Sequence, residues 1–217
     1  SKNNLKMLAL ALHNYLAAKN AFPAGAHPNP AIPLEKRISW IADVLPYLDQ
    51  NGAFQSVDFT KAWDDPVHER LTKLDLNLLH TPGPAEGVTI PAGYTQYVGI
   101  GGVGEDAPLL PVTDPRAGAF GYNRVTKLVD IKDGTSNTLL VTEASGNFGP
   151  WIAAGPATIR SLTKKPYING PDGIGGPFKG GVHAALGDGS VRFISENIDP
   201  KIFEALSTIN GGEPIPQ

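Results

Sequence analysis

The chain has 217 residues, and its 25 glycines and 20 prolines make up about a fifth of it, well above the usual share of about 12%. Because 41% of the residues are hydrophobic, we expect a loop-rich folded protein and not a disordered one. The net charge of −3 and the scattered basic residues argue against nucleic acid as a partner, and the absence of cysteine excludes disulfides and cysteine-ligated metals. No apolar run reaches the roughly 18–20 residues of a membrane span, so we expect this fragment to be a soluble monomer.

The clearest predicted element is a helix over residues 5–16, because apolar residues recur there at steps of three and four. The stripe consists of Leu5, Leu8, Leu12, Tyr15 and Leu16. The segment contains no glycine and no β-branched residue, and Phe22-Pro23 ends it. The apolar pattern is already strong in the first turn, which indicates a helix that continues upstream of Ser1.

Shorter helices and loops are predicted up to residue 83. Residues 24–34 have the composition of an extended loop, and Arg37 to Phe54 carries a helical stripe that Pro46 interrupts. Asp65-Pro66 is typical of an N-cap followed by proline at the first helical position, which predicts a short helix over residues 67–74.

Strands follow, and one hairpin gives the strongest local signal. Runs rich in β-branched and aromatic residues predict strands over residues 94–100, 123–128 and 138–143. Asp188-Gly189 favours a two-residue type I′ turn within residues 182–195. That turn would pair Ala184 with Phe193 and place one apolar face in the core, made of Val182, Ala184, Leu186, Val191 and Phe193.

The remaining hairpin face would carry His183 and Arg192, which together could bind an anion or simply make a contact on the sheet surface. Asp199-Pro200 then predicts a last short helix. The order of helices, strands and a final helix predicts an α+β fold.

Catalytic signatures are not found in the sequence. The five histidines have no metal-ligand spacing, and there is no G-x-S-x-G motif. The glycine-rich stretch over residues 99–104 leads into a proline-bearing loop and not into a helix that could hold a pyrophosphate. We therefore expect a protein that is not an enzyme.

Two acidic groups suggest calcium as a possible ligand. Asp130 and Asp133 lie within an eight-residue stretch that also contributes hydroxyl and carboxamide oxygens, and a second group consists of Asp58, Asp64 and Asp65. The alternative is structural, with Asp133-Gly134 as a turn whose neighbours hydrogen-bond the backbone locally. We favour the structural interpretation and expect no cofactor.

Aromatic residues in the long loops suggest a ligand of another kind, because exposed aromatic rings can stack on sugars. The candidate binding residues are Trp63, Tyr94, Tyr97, Trp151 and Tyr167. The alternative is that the tryptophans anchor the loops on the core.

Six motifs, in order along the chain, resemble the large planctomycete family of PulG-like proteins, which are similar to the type II secretion G protein and have unknown function. They are Asn3-Asn4-Leu5-Lys6 with Leu10-Ala11-Leu12-His13-Asn14-Tyr15, Phe22-Pro23-Ala24-Gly25, Ser39-Trp40, Leu45-Pro46-Tyr47-Leu48-Asp49-Gln50, Asp133-Gly134-Thr135-Ser136-Asn137-Thr138 and Asp188-Gly189-Ser190-Val191-Arg192-Phe193. The C-terminal element of this family is named for a histidine, nine residues and Asp-Gly. Phe178 stands at that histidine position here, which favours a structural role for the Asp188-Gly189 turn.

The resemblance implies a prepilin-type N-terminus and an upstream hydrophobic helix that anchors the full-length protein in a membrane. Residues 1–20 would continue that helix, and residues 21–217 would form a single globular α+β domain. It also implies a pilin-like fold, in which an N-terminal helix packs on an antiparallel sheet. We expect a pseudopilin-like protein of the cell envelope or the exterior, with a structural or interaction role among pilin-like subunits or envelope proteins. The alternative is an extracytoplasmic solute- or glycan-binding module.

Overall fold

The computed structural model describes residues 1–83 and 88–213. The predicted first helix is α1 (Lys2–Lys19), which ends where Asn20 adopts a left-handed conformation and donates its N–H to the carbonyl of Leu16, 2.7 Å away. Leu5, Leu8 and Leu12 are fully buried, as the stripe predicts. No helix among the described residues is long and apolar enough to cross a membrane.

Short helices follow, with prolines and side-chain caps at their predicted places. They are α2 (Trp40–Val44), α3 (Asn51–Gln55), α4 (Glu69–Thr72) and α5 (Pro200–Leu206). A 3-10 turn over Leu45–Leu48 separates α2 from α3 at Pro46. Asp65 and Asp199 each accept a hydrogen bond from the backbone N–H two residues on, which confirms both predicted N-caps.

In the described ranges of the chain, seven strands form two sheets. The strands are β1 (Tyr94–Thr95), β2 (Tyr97–Val103), β3 (Leu139–Glu143), β4 (Gly149–Pro150), β5 (Ile159–Leu162), β6 (Gly181–Leu186) and β7 (Val191–Ser195). The main sheet has the order β5-β2-β3-β6-β7, with β5 parallel to β2 and the other pairs antiparallel, while β1 pairs with β4. The predicted strand at residues 123–128 is wrong, because Arg124 and Thr126 are buried there while Val125 is 46% exposed, the reverse of an apolar-inward pattern.

The two faces of the main sheet are covered by different elements. On one face α1 packs against β3 and β6, where its leucines share a cluster with Val141 and Ala185. On the other face Phe203 and Leu206 of α5 pack against Ala184. The fold is α+β, with an N-terminal helix on a mainly antiparallel sheet and a short C-terminal helix, which confirms the predicted class and is consistent with a pilin-like fold.

The β6–β7 hairpin forms, but its predicted turn is wrong. Leu186 N–H donates to the carbonyl of Ser190 at 2.9 Å, and Gly189 N–H donates back to the carbonyl of Leu186 at 2.9 Å. The loop therefore has three residues, Gly187, Asp188 and Gly189, and only Gly189 takes a positive φ, of 82°. This is a three-residue loop with a bulge at glycine and not a two-residue type I′ turn.

The extra loop residue shifts the register by one and exchanges the faces of β7. His183 pairs with Phe193 and Ala184 with Arg192. Because side chains alternate with a period of two, Ile194 is buried and Phe193 is 52% exposed, the reverse of the prediction. His183 and Arg192 lie on opposite faces, so the predicted anion site between them does not form.

Candidate functional site

A buried carboxylate lies in the sheet face that α1 covers. Glu143 ends β3 and is 0% exposed. The register places Tyr97 of β2 opposite it on one side, and His183 of β6 contacts it on the other. The His183 ring lies edge-on to Phe193, with ring centroids 5.2 Å apart. A row of four side chains thus crosses the sheet from its buried centre to the exposed strand β7.

Glu143 holds the sheet together through one of its two oxygens. Its Oε2 accepts the backbone N–H of His183 at 2.8 Å and lies 3.3 Å from Nδ1 of the ring. A Cβ on Gly176 would lie 2.7 Å from Oε2, so glycine leaves the room that the carboxylate needs. Its Oε1 has no hydrogen-bond partner within the described ranges. Because Glu143 is fully buried, substrate does not reach it in this conformation, and the pair links β3 to β6.

Tyr97 extends this polar row beneath α1. Burial raises the pKa of its hydroxyl well above the ordinary value, the nearby Asn4 amide opposes the shift, and Glu143 adds to it. The Asn4 amide nitrogen donates instead to the carbonyl of His80, 2.8 Å away. In the part of the chain that the structure describes, the Tyr97 hydroxyl has no hydrogen-bond partner of good geometry.

A cleft of about 340 Å³ opens at the β5 edge of the sheet, within the range of small-molecule sites. Apolar walls come from Tyr122 and three prolines, Pro108, Pro156 and Pro171. The polar lining residues are Glu105, Asn147, Arg160, Ser161, Thr163 and Asp172. The cleft therefore combines flat apolar surfaces with several donors and acceptors.

Arg160 holds the loops around this cleft. The residue is 6% exposed, and its guanidinium donates to the carbonyls of Pro156 at 2.7 Å, Asp172 at 2.6 Å, Gly146 at 3.2 Å and Asn147. Burial lowers the pKa of Arg160 to about 10, and the charge of Asp172 opposes the shift. The guanidinium mainly satisfies loop carbonyls. It therefore fixes residues 146–147, Pro156 and Asp172 relative to β5.

Asp172 closes one rim of the cleft. Its carboxylate accepts the backbone N–H groups of Thr163 at 2.7 Å and Lys164 at 3.0 Å, and also the Thr163 hydroxyl. Ser161 lines the cleft, and its buried Oγ has no hydrogen-bond partner among residues 1–83 and 88–213. A buried hydroxyl of this kind is available to hydrogen-bond a water or a ligand group.

A second buried arginine supports the neighbouring loop. Arg124 donates to five backbone carbonyls, those of Gly101, Ala107, Leu110, Gly118 and Phe120, at 2.5–3.1 Å. Burial lowers the pKa of Arg124 to about 10, against the opposing charge of Asp114. We call the segments that the two arginines hold, residues 104–124, 144–158 and 163–172, the arginine-held loops.

An imidazole–carboxylate pair lies in another cleft, of about 310 Å³, beside the end of α1. His27 Nδ1 is 2.8 Å from Asp43 Oδ1, and the His27 ring packs on Phe59 with centroids 4.2 Å apart. Tyr15 also lines this cleft, and burial followed by the charge of Asp43 raises its pKa. The described residues that line this cleft include Tyr15 and Lys19 but no serine or threonine.

The structure does not bring the five predicted ligand-binding aromatics together, and none of them lines the cleft at β5. Trp151 and Tyr97 are fully buried, which corrects the expectation that these two rings are available for stacking. The Trp151 indole N–H donates to the carbonyl of Leu74 at 3.0 Å, as expected for a loop anchor.

The other three aromatics are partly exposed and lie apart in the fold. Trp63 donates its indole N–H to the carbonyl of Glu35 at 3.1 Å, and Tyr94 lies in β1. The Tyr167 hydroxyl donates to Glu204 at 2.5 Å. Burial and then Glu204 raise the pKa of Tyr167 to about 12.

The carboxylates of Asp130 and Asp133 accept hydrogen bonds from backbone N–H groups. Asp130 accepts the N–H of Lys127 at 2.8 Å. The two oxygens of Asp133 accept the N–H groups of Gly211 at 2.8 Å and Gly212 at 2.9 Å, fixing the segment after α5. No group of three or more His, Cys, Asp or Glu that could hold a metal occurs among the described residues. The structural role is the interpretation that we favour for this pair, and calorimetric titration with calcium tests the alternative of calcium binding.

The turn residues have local roles. Gly134 has φ 90° and precedes a 3-10 turn over Thr135–Asn137. Asp188 Oδ1 accepts the N–H of Ser190 at 2.9 Å and its hydroxyl at 2.6 Å. Partial burial raises the pKa of Asp188, but these two hydrogen bonds more than offset it and the net shift is downward.

Sequence reasoning did not single out Glu143, Tyr122 or Arg160. The signal for Glu143 was a carboxylate directly after four apolar or β-branched strand residues. For Arg160 the signal was a lone basic residue inside a short strand pattern. Neither role could be predicted without the fold, because the hydrogen-bond partners of both residues are distant in the sequence.

The comparisons with known proteins give one match. A family model described as "Protein of unknown function (DUF1559)" matches residues 1–150 and 146–201. No curated protein and no solved structure matches the chain.

Proposed function

We propose that this chain, which belongs to the DUF1559 family of proteins of unknown function, acts as the globular part of a pilin-like protein of the cell envelope or surface. The role is non-enzymatic and structural, with other pilin-like subunits or envelope proteins as partners. The resemblance to PulG-like proteins, including the C-terminal element in which Phe178 replaces histidine, supports this proposal. So does the α+β architecture.

The observation that carries the proposal is the two-sided character of α1. Leu5, Leu8 and Leu12 of its inner stripe are fully buried. Met7, by contrast, is 47% exposed and Leu10 is 61% exposed on the outer surface of the helix. Exposed apolar residues scattered singly are common, but these two are successive positions along one face of the helix that would continue upstream. A neighbouring subunit that packs on this face would bury both side chains.

The test uses the full-length protein with its natural upstream sequence. Because the chain contains no cysteine, a single Leu10→Cys variant reports contacts at this face by oxidative cross-linking. Leu109, which is 63% exposed on an arginine-held loop, provides a control of matched exposure as Leu109→Cys. We expect the protein in the membrane or surface fraction, with cross-linked dimers from Leu10→Cys only. Full-length protein free in the cytoplasm, or equal cross-linking at both positions, would contradict the proposal.

We propose solute or glycan binding as a second candidate function, supported by the cleft at the β5 edge. The cleft has the size and mixed lining of a small-molecule site, and two buried arginines hold its loops. The five aromatics predicted from the sequence do not contribute to it, so this candidate depends on Tyr122 and its polar neighbours.

A further inference from the structure

We infer that the cleft at the β5 edge binds a neutral saccharide through Tyr122 and Glu105; this inference rests on the second function proposed above.

The cleft is already formed. Arg160 fixes the carbonyls of Asn147, Pro156 and Asp172, which lie on two of the arginine-held loops that border the cleft. Arg124 holds the loop that carries Pro108 through the carbonyls of Ala107 and Leu110. A ligand that enters does not have to order these loops, which removes an entropic cost that would otherwise oppose binding.

The walls of the cleft are rigid. The half-buried Tyr122 and three prolines line it. Their rings offer contact area at low side-chain entropy, and the aromatic ring of Tyr122 is flat as well. The C–H faces of a pyranose are flat and apolar, so such walls match them better than they match a flexible chain.

Polar groups with free hydrogen-bonding capacity also line the cleft. Glu105 is exposed at the rim and offers a carboxylate. Asn147 donates its side-chain N–H to the carbonyl of Pro171 at 3.0 Å, which leaves its side-chain oxygen as an acceptor. Ser161 Oγ is buried and without a partner within the described residues, and Nη2 of Arg160 makes one hydrogen bond with its two N–H groups. Acceptors, a hydroxyl and one spare donor together suit a ligand with several hydroxyl groups.

The charges that line the cleft select a neutral ligand. The lining contains one cationic side chain, Arg160, and two carboxylates, Glu105 and Asp172. The net negative lining disfavours an anionic sugar or a phosphate, while the buried guanidinium disfavours an amine placed beside it.

The experiment measures binding of neutral mono- and disaccharides to the 217-residue chain by calorimetry and ligand-observed NMR. Glucuronate, glucosamine and an amino-acid mixture serve as charged probes. We expect a neutral saccharide to bind and Tyr122→Ala to weaken it about tenfold, equivalent to about 1.4 kcal/mol. The matched control is Tyr94→Ala, which removes a partly exposed tyrosine away from the cleft and should leave affinity unchanged. Glu105→Gln changes an exposed side chain without threatening the fold, and should weaken binding several-fold.

Each outcome has a defined meaning. Two results would overturn the assignment to this cleft. One is binding that Tyr94→Ala abolishes and Tyr122→Ala does not. The other is saccharide binding that neither Tyr122→Ala nor Glu105→Gln changes. Binding of a charged probe alone, lost in Glu105→Gln or Tyr122→Ala, overturns the saccharide class and retains the binding function. If no probe binds, the saccharide inference and the second proposed function are both contradicted. The pilin-like role is tested separately, by the cross-linking of the full-length protein.

Discussion

The face of the sheet under α1 and the arginine-held loops are stabilised in different ways. Under α1, leucines with a helical period pack on strands whose backbone groups are paired with one another. In the arginine-held loops much of the backbone is not hydrogen-bonded as a β-ladder. Two guanidinium groups donate to eight carbonyls of these loops and to that of Gly101 in β2. A chain this rich in glycine and proline can therefore keep long loops ordered, provided that buried donors replace the missing secondary structure.

The largest effect is expected at Arg124. Replacing it with methionine, as Arg124→Met, keeps much of the volume but removes the guanidinium donors. The carbonyls of Gly101 and Ala107 keep a backbone N–H as donor, whereas those of Gly118 and Phe120 lose their guanidinium donor, and each such loss is costly. We expect a loss of about 4 kcal/mol or more in the free energy of unfolding, measured by urea denaturation. The exposed Arg192→Met is the control and should change stability by no more than about 0.5 kcal/mol. A loss below about 1 kcal/mol for Arg124→Met would show that the loops do not depend on the guanidinium.

Two leucines of α1 test how the helix packs on the sheet. Leu8 is fully buried on the sheet and Leu10 is 61% exposed. Leu8→Ala should lower the free energy of unfolding by about 3 kcal/mol, because apolar burial is lost and a cavity remains. Leu10→Ala should change it by no more than about 0.5 kcal/mol. Equal losses in thermal or urea unfolding would contradict the orientation of α1 described here.

The polar row beneath α1 predicts a dependence on alkaline pH. Burial raises the pKa of Tyr97 in the folded state above the ordinary value of 10. Above pH 10 the unfolded chain loses this proton while the folded chain keeps it, so the contribution to stability is complete below pH 10 and declines as the pH rises. The decline is limited to about 1.4 kcal/mol per pH unit.

The measurement compares urea unfolding of the wild type and Tyr97→Phe at pH 8 and pH 11. Other groups that titrate in this range contribute equally to both proteins, so the difference isolates Tyr97. We expect the wild type to lose more stability than Tyr97→Phe across this interval. Identical pH dependence in the two proteins would mean that the hydroxyl reaches solvent.

Sequence reasoning succeeded where the causes are local. The buried stripe of α1 follows from residue spacing, and the caps at Asp65 and Asp199 follow from side chains that bond backbone two residues away. It failed where the partner is distant, as for the carbonyls that Arg124 collects from residues 101–120. In the hairpin, Asp188-Gly189 correctly predicted a turn, but the choice between a two- and a three-residue loop depends on the strands that flank it, and one residue moved Phe193 to the opposite face.

The smallest predicted effects come from two glycines, and they test this hairpin directly. Gly189 has a φ of 82°, so Gly189→Ala forces an alanine into the left-handed region and should cost about 1 kcal/mol. Gly52 lies in α3, has ordinary helical geometry and has no atom within 4 Å of an added Cβ, so Gly52→Ala should stabilise the protein by about 0.5 kcal/mol. Opposite signs in urea unfolding would support the positive φ at Gly189, because an added Cβ there lies at an ordinary contact distance of 3.4 Å from the His13 ring and the main difference between the two positions is the backbone conformation. If Gly189→Ala were as neutral or favourable as Gly52→Ala, the positive φ would not be required there, and the register that exposes Phe193 would lose its structural cause.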